Sequence, residues 1–552
     1  MSRIGFVSAV VLATAGSAVA ATYYIRTDGG TASQCTGLAD APYPGGGVSQ
    51  PCAWNHPFWA LPPGGVQAPR LLGGDTLIID TGSYRMGYGA PNTADCDAAG
   101  SFDCTMAPLP SGPATSQPTR ILGQGHDLGC PNPPELWGAE RPWFLLDLTG
   151  TSNAVVACLN LTDHSSCIEF HTGGLACNRD SPPYGDWASA GLYASDSSNV
   201  FLQHLNIHGF AEHGVLAGRL TDWTVENVRV AHNGWAGWDG DILGNDSNSG
   251  TLAFHHLTIE WNGCSESYPG GSTTGCWAQS AGGYGDGLGT GLTAGRWVFE
   301  DSAFLHNTSD GLDLLYMDSS ASVEVRRTYA EGNAGNQIKV GSTATIENSV
   351  VVGNCGFFDG KPFTYDVDNC RALGNALSID LGAGTQSSIV SSTVYSQGDC
   401  ILLIGNNGCN GSETLLSRNN IFVGDTDFLQ PFENSCFAYN DGCPGNPLAQ
   451  DYGIIYNVKN NPCPVGTNDL CSDPLLVSSS GSTFDARLTA SSPAIDSGLP
   501  VGGVIPNHDL LGFIRPAGAG VDRGAYEFGA GPPLVTGGAP SSGSRIRAFG
   551  RL

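Results

Sequence analysis

Three aspartates, Asp286, Asp310 and Asp313, have a spacing that suits a shared chemical task. Asp286 and Asp310 each precede a glycine, and Asp313 follows Asp310 by three residues. Carboxylate oxygens from neighbouring segments suit Ca²⁺, which accepts six to eight oxygen ligands in loose geometry. The spacing therefore suggests a calcium site, and ordinary Asp-Gly turn chemistry is the structural alternative.

Lys339 is one of only three lysines in the chain, and it lies between two apolar residues in the segment Ile338-Lys339-Val340. A lysine beside a bound cation is pushed toward its neutral form, and a neutral amine can remove a proton. The same cation would bind a uronate carboxylate and acidify the neighbouring carbon. These are the requirements of β-elimination from a uronic-acid polymer. The alternative is a surface lysine paired with Asp313, worth about 0–1 kcal/mol.

Arg326 and Arg327 lie between Asp313 and Lys339 in the sequence. Guanidinium groups bind carboxylates in a bidentate manner. The two arginines are therefore candidates for holding a substrate carboxylate, and two solvated surface arginines are an equally good interpretation.

These residues lie in a region of repeated segments between about residue 199 and residue 425. Each clear copy has an apolar anchor followed eight residues later by asparagine: Val225 with Asn233, Phe254 with Asn262, Phe299 with Asn307, Val325 with Asn333, and Ile346 with Asn354. Looser copies begin at Phe201, Ile389 and Leu415. Successive anchors are 24, 29, 45, 26, 21, 43 and 26 residues apart, which is typical of a solenoid with inserted loops.

The segments between turns are short and rich in Val, Ile, Leu, Phe and Thr, and no stretch has the pattern of a long amphipathic helix. We therefore predict an all-β chain folded as a parallel β-helix solenoid. An antiparallel sandwich or a propeller is the alternative. It fits less well because each repeat carries two or three short strands and has no regular hairpin turn.

A small polar turn precedes one strand of each repeat. We place this turn at His213-Gly214, Asp239-Gly240, Asp286-Gly287, Asp310-Gly311, Asn336-Gln337, Asn375-Ala376 and Asp399-Cys400. After the turn the residues alternate, so apolar side chains point inward and polar ones outward. This register puts Asp313 and Lys339 in one outward column, on strands about 4.8 Å apart.

The chain begins with the pattern of a secretory signal peptide over residues 1–20, where Arg3 precedes an apolar run and Ala18-Val19-Ala20 forms a cleavage site. We expect a single β-helix domain over 21–528. It would comprise N-terminal coils with decorated loops at 21–150, the clearest repeats at 199–425 and a C-terminal cap coil at 470–528. The tail at 529–552 is rich in Gly, Pro and Ser and is expected to be flexible.

The 18 cysteines favour export to an oxidising compartment. We therefore expect a secreted or periplasmic protein, or one held at the cell surface. Taken consecutively, the cysteines form nine short-range pairs, from Cys35 with Cys52 to Cys463 with Cys471, which we interpret mainly as disulfides that cross-link loops.

The net charge of −28 argues against nucleic acid and anionic membranes as partners. The same charge would repel an acidic polysaccharide unless a cation bridged the two. No segment after the signal peptide is long and apolar enough to cross a bilayer, and we expect a monomer.

The segments Asn307–Leu314 and Gly335–Gly341 resemble the family nine pectate lyases of the polysaccharide lyases. That family consists of secreted right-handed parallel β-helices. They carry an Asp-Asp-Gly-x-Asp calcium turn, an Asp-Gly one coil earlier, and a Gly-Asn-Gly-x-Lys strand one coil later that supplies the base. Ser309 stands where the family has its first aspartate, and Gln337 stands where a glycine is usual.

The resemblance implies that Asp286, Asp310 and Asp313 are calcium ligands and that Lys339 is the Brønsted base. The implied function is a calcium-assisted lyase that cleaves an acidic, uronate-containing polysaccharide by β-elimination. One alternative is a non-catalytic carbohydrate-binding or adhesive β-helix whose Asp-Gly turns are structural. Another is a glycoside hydrolase of the polygalacturonase type, which uses paired carboxylates, although that family's Asp-Asp pair and Gly-His-Gly are absent here.

Overall fold

The structure is a computed structural model that describes residues 20–96, 104–138, 140, 142–164, 187–242, 247–266, 276, 285–358, 374–428, 436–459 and 463–531. The signal peptide, apart from its last residue, and the tail beyond residue 531 lie outside these residues. Within the described part of the chain, no helix is long and apolar enough to cross a membrane.

The described residues form strands and four short 3₁₀ helices. In chain order the strands are β1 (Thr22–Gly30), β2 (Thr76–Ile79), β3 (Ser83–Met86), β4 (Thr119–Gly123), β5 (Glu135–Gly138), β6 (Phe144–Asp147), β7 (Ser152–Asp163), β8 (Ala190–His208), β9 (His213–Glu226), β10 (Arg229–Ala231), β11 (Ala236–Asp239), β12 (Ser249–His255), β13 (Thr258–Glu260), β14 (Leu288–Gly289), β15 (Arg296–Glu300), β16 (Ala303–Leu305), β17 (Leu312–Leu314), β18 (Ser322–Arg326), β19 (Tyr329–Glu331), β20 (Ile338–Gly341), β21 (Thr343–Glu347), β22 (Val350–Gly353), β23 (Leu377–Leu381), β24 (Gln386–Val390), β25 (Thr393–Ser396), β26 (Cys400–Asn406), β27 (Thr414–Arg418), β28 (Ile421–Gly424), β29 (Cys436–Asn440), β30 (Leu448–Asp451), β31 (Ile454–Tyr456), β32 (Leu476–Ser478) and β33 (Asp485–Leu488). The 3₁₀ helices are Pro57–Trp59, His126–Leu128, Cys355–Phe358 and Gly481–Thr483.

From β6 onward, each coil contributes a strand or part of a long strand to each of three faces, and these strands pair in parallel with their equivalents in the neighbouring coils. The first face contains β6, β11, β14, β17, β20, β23, β26 and β29, together with the starts of β8 and β9. The second face includes β12, β15, β18, β21, β24, β27 and β30, and the third includes β10, β13, β16, β19, β22, β25, β28 and β31. The predicted parallel β-helix is therefore confirmed. Its right-handed sense is the one that parallel crossovers take in nearly all proteins.

The predicted apolar anchors form one column of the core. Val225, Phe254, Phe299, Val325 and Ile346 pair in register on successive strands of the second face and are all buried. Stacking one large apolar side chain per coil removes a continuous row of hydrocarbon from water, which is the main stabilising term of a solenoid.

Two of the looser anchors were misplaced. The register puts Leu202 in the anchor column, one residue after the predicted Phe201. It also puts Ser417 there, two residues after Leu415. Because side chains alternate along a strand, an apolar residue near the correct position is a weak guide to register.

The asparagines of the repeat form a buried ladder over Asn233, Asn262, Asn307 and Asn333. Each of the first three donates its backbone N–H and its side-chain Nδ2 to the Oδ1 of the next one. The last rung, Asn333, donates in the same way to Oε1 of Gln337, at 3.0 and 2.8 Å. Gln337 thus ends the ladder, in place of a further asparagine.

Asn354, which the repeat assigned to the same series, has a different partner. Its Nδ2 donates to the carbonyl of Gly481 at 2.9 Å, and Gly481 belongs to the C-terminal segment 470–528. The sequence repeat continues to Asn354, but the hydrogen-bonded ladder stops one coil earlier.

The C-terminal segment differs from the expected capping coil. Its strands β32 and β33 pair only with each other, in antiparallel fashion. The segment packs over the outer side of the third face, where its Leu476, Phe484 and Leu510 join Val350, Val352, Tyr395, Ile421 and Val423 in a second apolar cluster. The outward residues of this part of the third face are themselves apolar, so they need a covering segment.

Disulfides confirm five of the consecutive pairs and correct two others. The confirmed pairs are Cys35–Cys52, Cys96–Cys104, Cys130–Cys158, Cys264–Cys276 and Cys463–Cys471. The four cysteines between residues 400 and 443 pair as Cys400–Cys436 and Cys409–Cys443. The consecutive pairing was wrong here because Cys400 and Cys436 are direct partners on β26 and β29. The predicted pairs Cys167–Cys177 and Cys355–Cys370 involve residues outside the described ones.

A carboxylate and lysine cluster on the first face

The strand register confirms the predicted column of Asp313 and Lys339. Asp313 of β17 lies directly opposite Lys339 of β20. On the other side of Asp313, the partner residue is Gly289 of β14. The residues flanking Asp313 and Lys339 in their strands are buried apolar side chains, so both polar side chains point to the outside of the solenoid.

Asp286 and Asp310 occupy the same turn position in consecutive coils, two residues before the paired Leu288 and Leu312. Oδ1 of Asp286 accepts the backbone N–H of Asp310 at 2.9 Å. Oδ1 of Asp310 in turn accepts the backbone N–H and the Nδ2 of Asn336, at 2.6 and 3.0 Å. One oxygen of each buried aspartate therefore fixes the turn of the following coil.

These Asp-Gly turns thus have the structural role that the sequence offered as an alternative, and the carboxylates of this region also contact Lys339. Oδ2 of Asp310 lies 3.1 Å from Nζ of Lys339, and Oδ2 of Asp313 lies 2.8 Å from the same nitrogen. Lys339 therefore contacts both carboxylates of the preceding coil from its place on the next strand.

Lys339 is held more tightly than a surface lysine, since its side chain is only 20% exposed. Burial, the largest single influence, lowers the pKa of the Lys339 amine, but the nearby carboxylates Asp310, Asp313 and Asp286 raise it more, to above its ordinary value. Burial, followed by the charge of Asp310, raises the pKa of the Asp313 carboxyl, although Lys339 opposes this shift. With only these groups present, the lysine carries the proton.

The three aspartates form a group that could hold a metal ion. Asp286, Asp310 and Asp313 each offer a carboxylate oxygen, and these oxygens lie within 4.8 Å of one another. Gly289 keeps space open beside them, because a Cβ at this position would lie 3.0 Å from Oδ2 of Asp286. An all-oxygen, multiply charged donor set suits Ca²⁺ better than a softer metal.

A second group of candidate metal ligands, Cys409, Glu413 and Cys443, has a different explanation. The two cysteines form a disulfide, so neither offers a thiolate. Glu413 accepts hydrogen bonds from the backbone N–H groups of Asn410 and Gly411, and its role is to hold that turn.

Two of the predicted turns were placed in the wrong register. The turn column contains Ala236 in place of Asp239, since Trp238 pairs with Leu288. Asp239 belongs instead to the outward column of Asp313, two strands before it. At the other end, Cys400 takes the turn position assigned to Asp399, and its N–H donates to Oδ1 of Asn375 at 3.1 Å.

Arg326 is the last residue of β18 on the second face and Arg327 follows it, and each contacts carboxylates there. Arg326 forms an ion pair with Glu324. Arg327 pairs with Glu300 at 2.6 Å and Asp301 at 2.8 Å, and its Nη1 lies 3.1 Å from Nε2 of His508. These contacts tie the arginines to the second face and the C-terminal segment, and a substrate-binding role for them stays a prediction.

Sequence reasoning missed Asn336, Gly289 and Gln337 as supporting residues of the site. Asn336 orients Asp310, Gly289 leaves room beside Asp286, and Gln337 ends the asparagine ladder next to the lysine strand. The eight-residue spacing from anchor to asparagine, which recurs in successive repeats of this chain, was a signal that could have revealed the ladder.

No family model matches the chain, and no curated protein matches it. Among solved structures, the chain is similar to pectate lyase Pel9A, with a TM-score of 0.43, 15% identity, and coverage of 93% of this chain and 98% of that one. It is similar to the A-module of the Azotobacter vinelandii mannuronan C-5 epimerase AlgE4, with a TM-score of 0.40, 13% identity, and coverage of 69% and 90%. A third similar structure is the PL6 family alginate lyase AlyGC, with a TM-score of 0.33, 11% identity, and coverage of 70% and 49%. The assignment of this chain to the parallel β-helix fold rests on the register of its own strands.

Proposed function

We propose that this protein is a calcium-assisted polysaccharide lyase that cleaves an acidic, uronate-containing polysaccharide by β-elimination. The observation that carries the proposal is the position of Lys339, whose Nζ lies 3.1 Å from Asp310 and 2.8 Å from Asp313 on the outer face of the solenoid. A partly buried amine among three carboxylates is a costly arrangement for a structural surface lysine, and a chain with so few lysines places one of them here.

In this proposal Asp286, Asp310 and Asp313 would hold the cation through their outward oxygens. Bound there, Ca²⁺ would offset the charge of the three aspartates and of a substrate carboxylate, which makes the proton on the adjacent sugar carbon more acidic. Lys339 lies beside this position on the next strand and would accept that proton. Asn336 keeps Asp310 in place by donating two hydrogen bonds to the oxygen that faces away from the lysine.

The hydrolase alternative fits this geometry less well. A glycosidase needs two carboxyl groups about 5 to 9.5 Å apart, with space for the sugar and a nucleophile between them. Here the carboxylate oxygens lie within 4.8 Å of one another, and the lysine amine lies between two of them. The non-catalytic alternative is consistent with the turn-holding role of Asp286 and Asp310, but it gives Lys339 no task beyond an ion pair.

We also propose that the protein acts outside the cytoplasm, because the disulfides of the described chain are stable in an oxidising compartment. A uronate polymer is the proposed partner. A bound cation would offset the repulsion between such a substrate and a protein with a net charge of −28.

The experiment is to incubate the full mature chain with polygalacturonate, alginate and glycosaminoglycans, in calcium and in chelator, and to identify the products. Unsaturated uronides that appear only with calcium would support the lyase. Saturated reducing ends would support the hydrolase instead, and no cleavage of any polymer would leave a binding protein as the better account.

A further inference from the structure

The outward column that contains Asp313 and Lys339 continues toward the N-terminal coils. In register from Lys339, it passes through Asp313, Gly289, Asp239 and Leu216 to Tyr193. These residues lie on six consecutive strands of the first face. Tyr193 is thus five strands from Lys339, a distance of about 24 Å along the solenoid axis.

At the Tyr193 end of the column, the rings of Trp143, Phe144 and Tyr193 pack together. We call these three residues the aromatic cluster. The ring of Tyr193 stacks on that of Phe144, with centroids 4.8 Å apart and planes 14° from parallel. Trp143 stacks on Tyr193 at 6.3 Å and 25°. Trp143 is 48% exposed, so its ring is accessible to a ligand while its stacking on Tyr193 holds it in place.

We propose that the aromatic cluster is a distal subsite on which a sugar ring of the same polysaccharide chain stacks, about five residues from the bond that is cleaved at Lys339. Neighbouring strands are about 4.8 Å apart, which is comparable to the length of one sugar residue in an extended polysaccharide. A chain lying along the column would therefore bring successive residues over successive strands. This inference rests on the proposed function, since it extends the same substrate along the same face.

The chemistry of the column explains why the distal contact would be apolar. Between the aromatic cluster and Lys339 the column carries Asp239 and Asp313 but no cationic side chain. Electrostatic attraction therefore does not hold a polyanion there. The apolar C–H face of a sugar ring packs on an aromatic ring whatever the charge of the chain, so stacking on Trp143 supplies affinity that the acidic face does not.

The test measures binding by calorimetry in the full-length Lys339→Ala protein, which separates binding from turnover. The probes are uronate oligosaccharides of three residues and of about seven residues, because roughly six residues are needed to reach from Lys339 to Tyr193. The variants are Trp143→Ala and, as a second one that leaves the tryptophan in place, Tyr193→Leu. Trp137→Ala is the matched control, because β5 continues through the ends of β7 and β8 to β10 of the third face, where Trp137 stacks on His164.

The expected result is that Trp143→Ala and Tyr193→Leu weaken binding of the longer oligosaccharide by about three- to tenfold. Binding of the trisaccharide would stay unchanged, and Trp137→Ala would have no effect on either. Unchanged affinity for the longer ligand in both cluster variants would overturn the inference while leaving the lyase intact. An equal loss with Trp137→Ala would overturn it as well. No binding and no cleavage of any uronate polymer by the wild type would contradict the proposed function itself.

Discussion

Asp313 and Lys339 are direct partners on the neighbouring parallel strands β17 and β20, and Nζ of Lys339 lies 2.8 Å from Oδ2 of Asp313. Both side chains point outward because their neighbours in each strand are buried. The pair shares its surroundings with Asp286 and Asp310, so a single positive charge faces three carboxylates. This excess of negative charge is the physical basis for expecting a divalent cation at the same place.

Replacement of Lys339 by methionine removes the one cation among these acids. We expect the calcium-free variant to lose about 3–5 kcal/mol in the free energy of unfolding, because buried carboxylates are left without their partner. Calcium should restore stability to the variant by more than it adds to the wild type. Urea unfolding in calcium and in chelator measures both effects, with Lys459→Met as the control. Equal stability of the calcium-free wild type and Lys339→Met would contradict the idea of a cation-dependent cluster.

The Asp310→Asn variant tests the calcium site separately from the base. Asparagine keeps an oxygen for the hydrogen bonds from Asn336 but loses the negative charge. We expect calcium affinity to fall by about tenfold or more, while the fold is kept. Calorimetric titration with calcium measures this change. Asp318→Asn, an exposed turn aspartate in the same coil, should bind calcium like the wild type, and equal affinities in all three proteins would exclude Asp310 as a ligand.

The sequence was sufficient to predict the parallel β-helix and the pairing of Asp313 with Lys339, because strict alternation around buried Leu312 and Ile338 leaves one register. It was insufficient for Asp239. The Asp239-Gly240 dipeptide looks locally like the Asp-Gly pairs at the turn position, but it lies three residues after that position, which Ala236 occupies. Only the pairing of Trp238 with Leu288 shows the difference.

Long-range contacts account for the other differences. The pairing of Cys400 with Cys436 depends on which strands are neighbours across a long insertion. The return of the C-terminal segment over the third face depends on outward apolar residues such as Tyr395 and Ile421 needing a cover. Neither relationship is encoded in local periodicity.

Gln337 should contribute to stability because it ends the asparagine ladder. In Gln337→Met, a change that roughly keeps the volume, the N–H and Nδ2 of Asn333 lose their acceptor. We expect a loss of about 1–3 kcal/mol in the free energy of unfolding, the usual result of leaving buried donors unpaired. Urea unfolding measures it against Gln386→Met, an exposed glutamine on β24. If the two variants are equally stable, the ladder does not need this cap.

Asp239 should make stability depend on pH. Burial, the largest influence, raises the pKa of its carboxyl to about 7 from an ordinary value of 3.8. Between these two values the folded state binds a proton that the unfolded state has released, so this group makes the free energy of unfolding fall as pH rises through the interval.

The Asp239→Asn variant removes that titration and keeps an acceptor for the N–H of Asp241. We expect it to match the wild type at pH values below the ordinary aspartate pKa. It should become more stable than the wild type as pH rises, by about 1–3 kcal/mol above pH 7. Melting temperatures over this range measure the trend. A stability difference that is the same at every pH would show that folding does not shift the pKa of Asp239.

The central claim is tested most directly by the initial rate at which unsaturated uronide is released from a uronate polymer in saturating calcium. The rate is compared for the wild type, Lys339→Ala and Lys459→Ala, after calcium binding by each protein has been verified. The account predicts that Lys339→Ala lowers the rate by about 10²- to 10⁴-fold and still binds calcium, whereas Lys459→Ala is unaffected. A Lys339→Ala protein that releases product at the wild-type rate would contradict the assignment of Lys339 as the base.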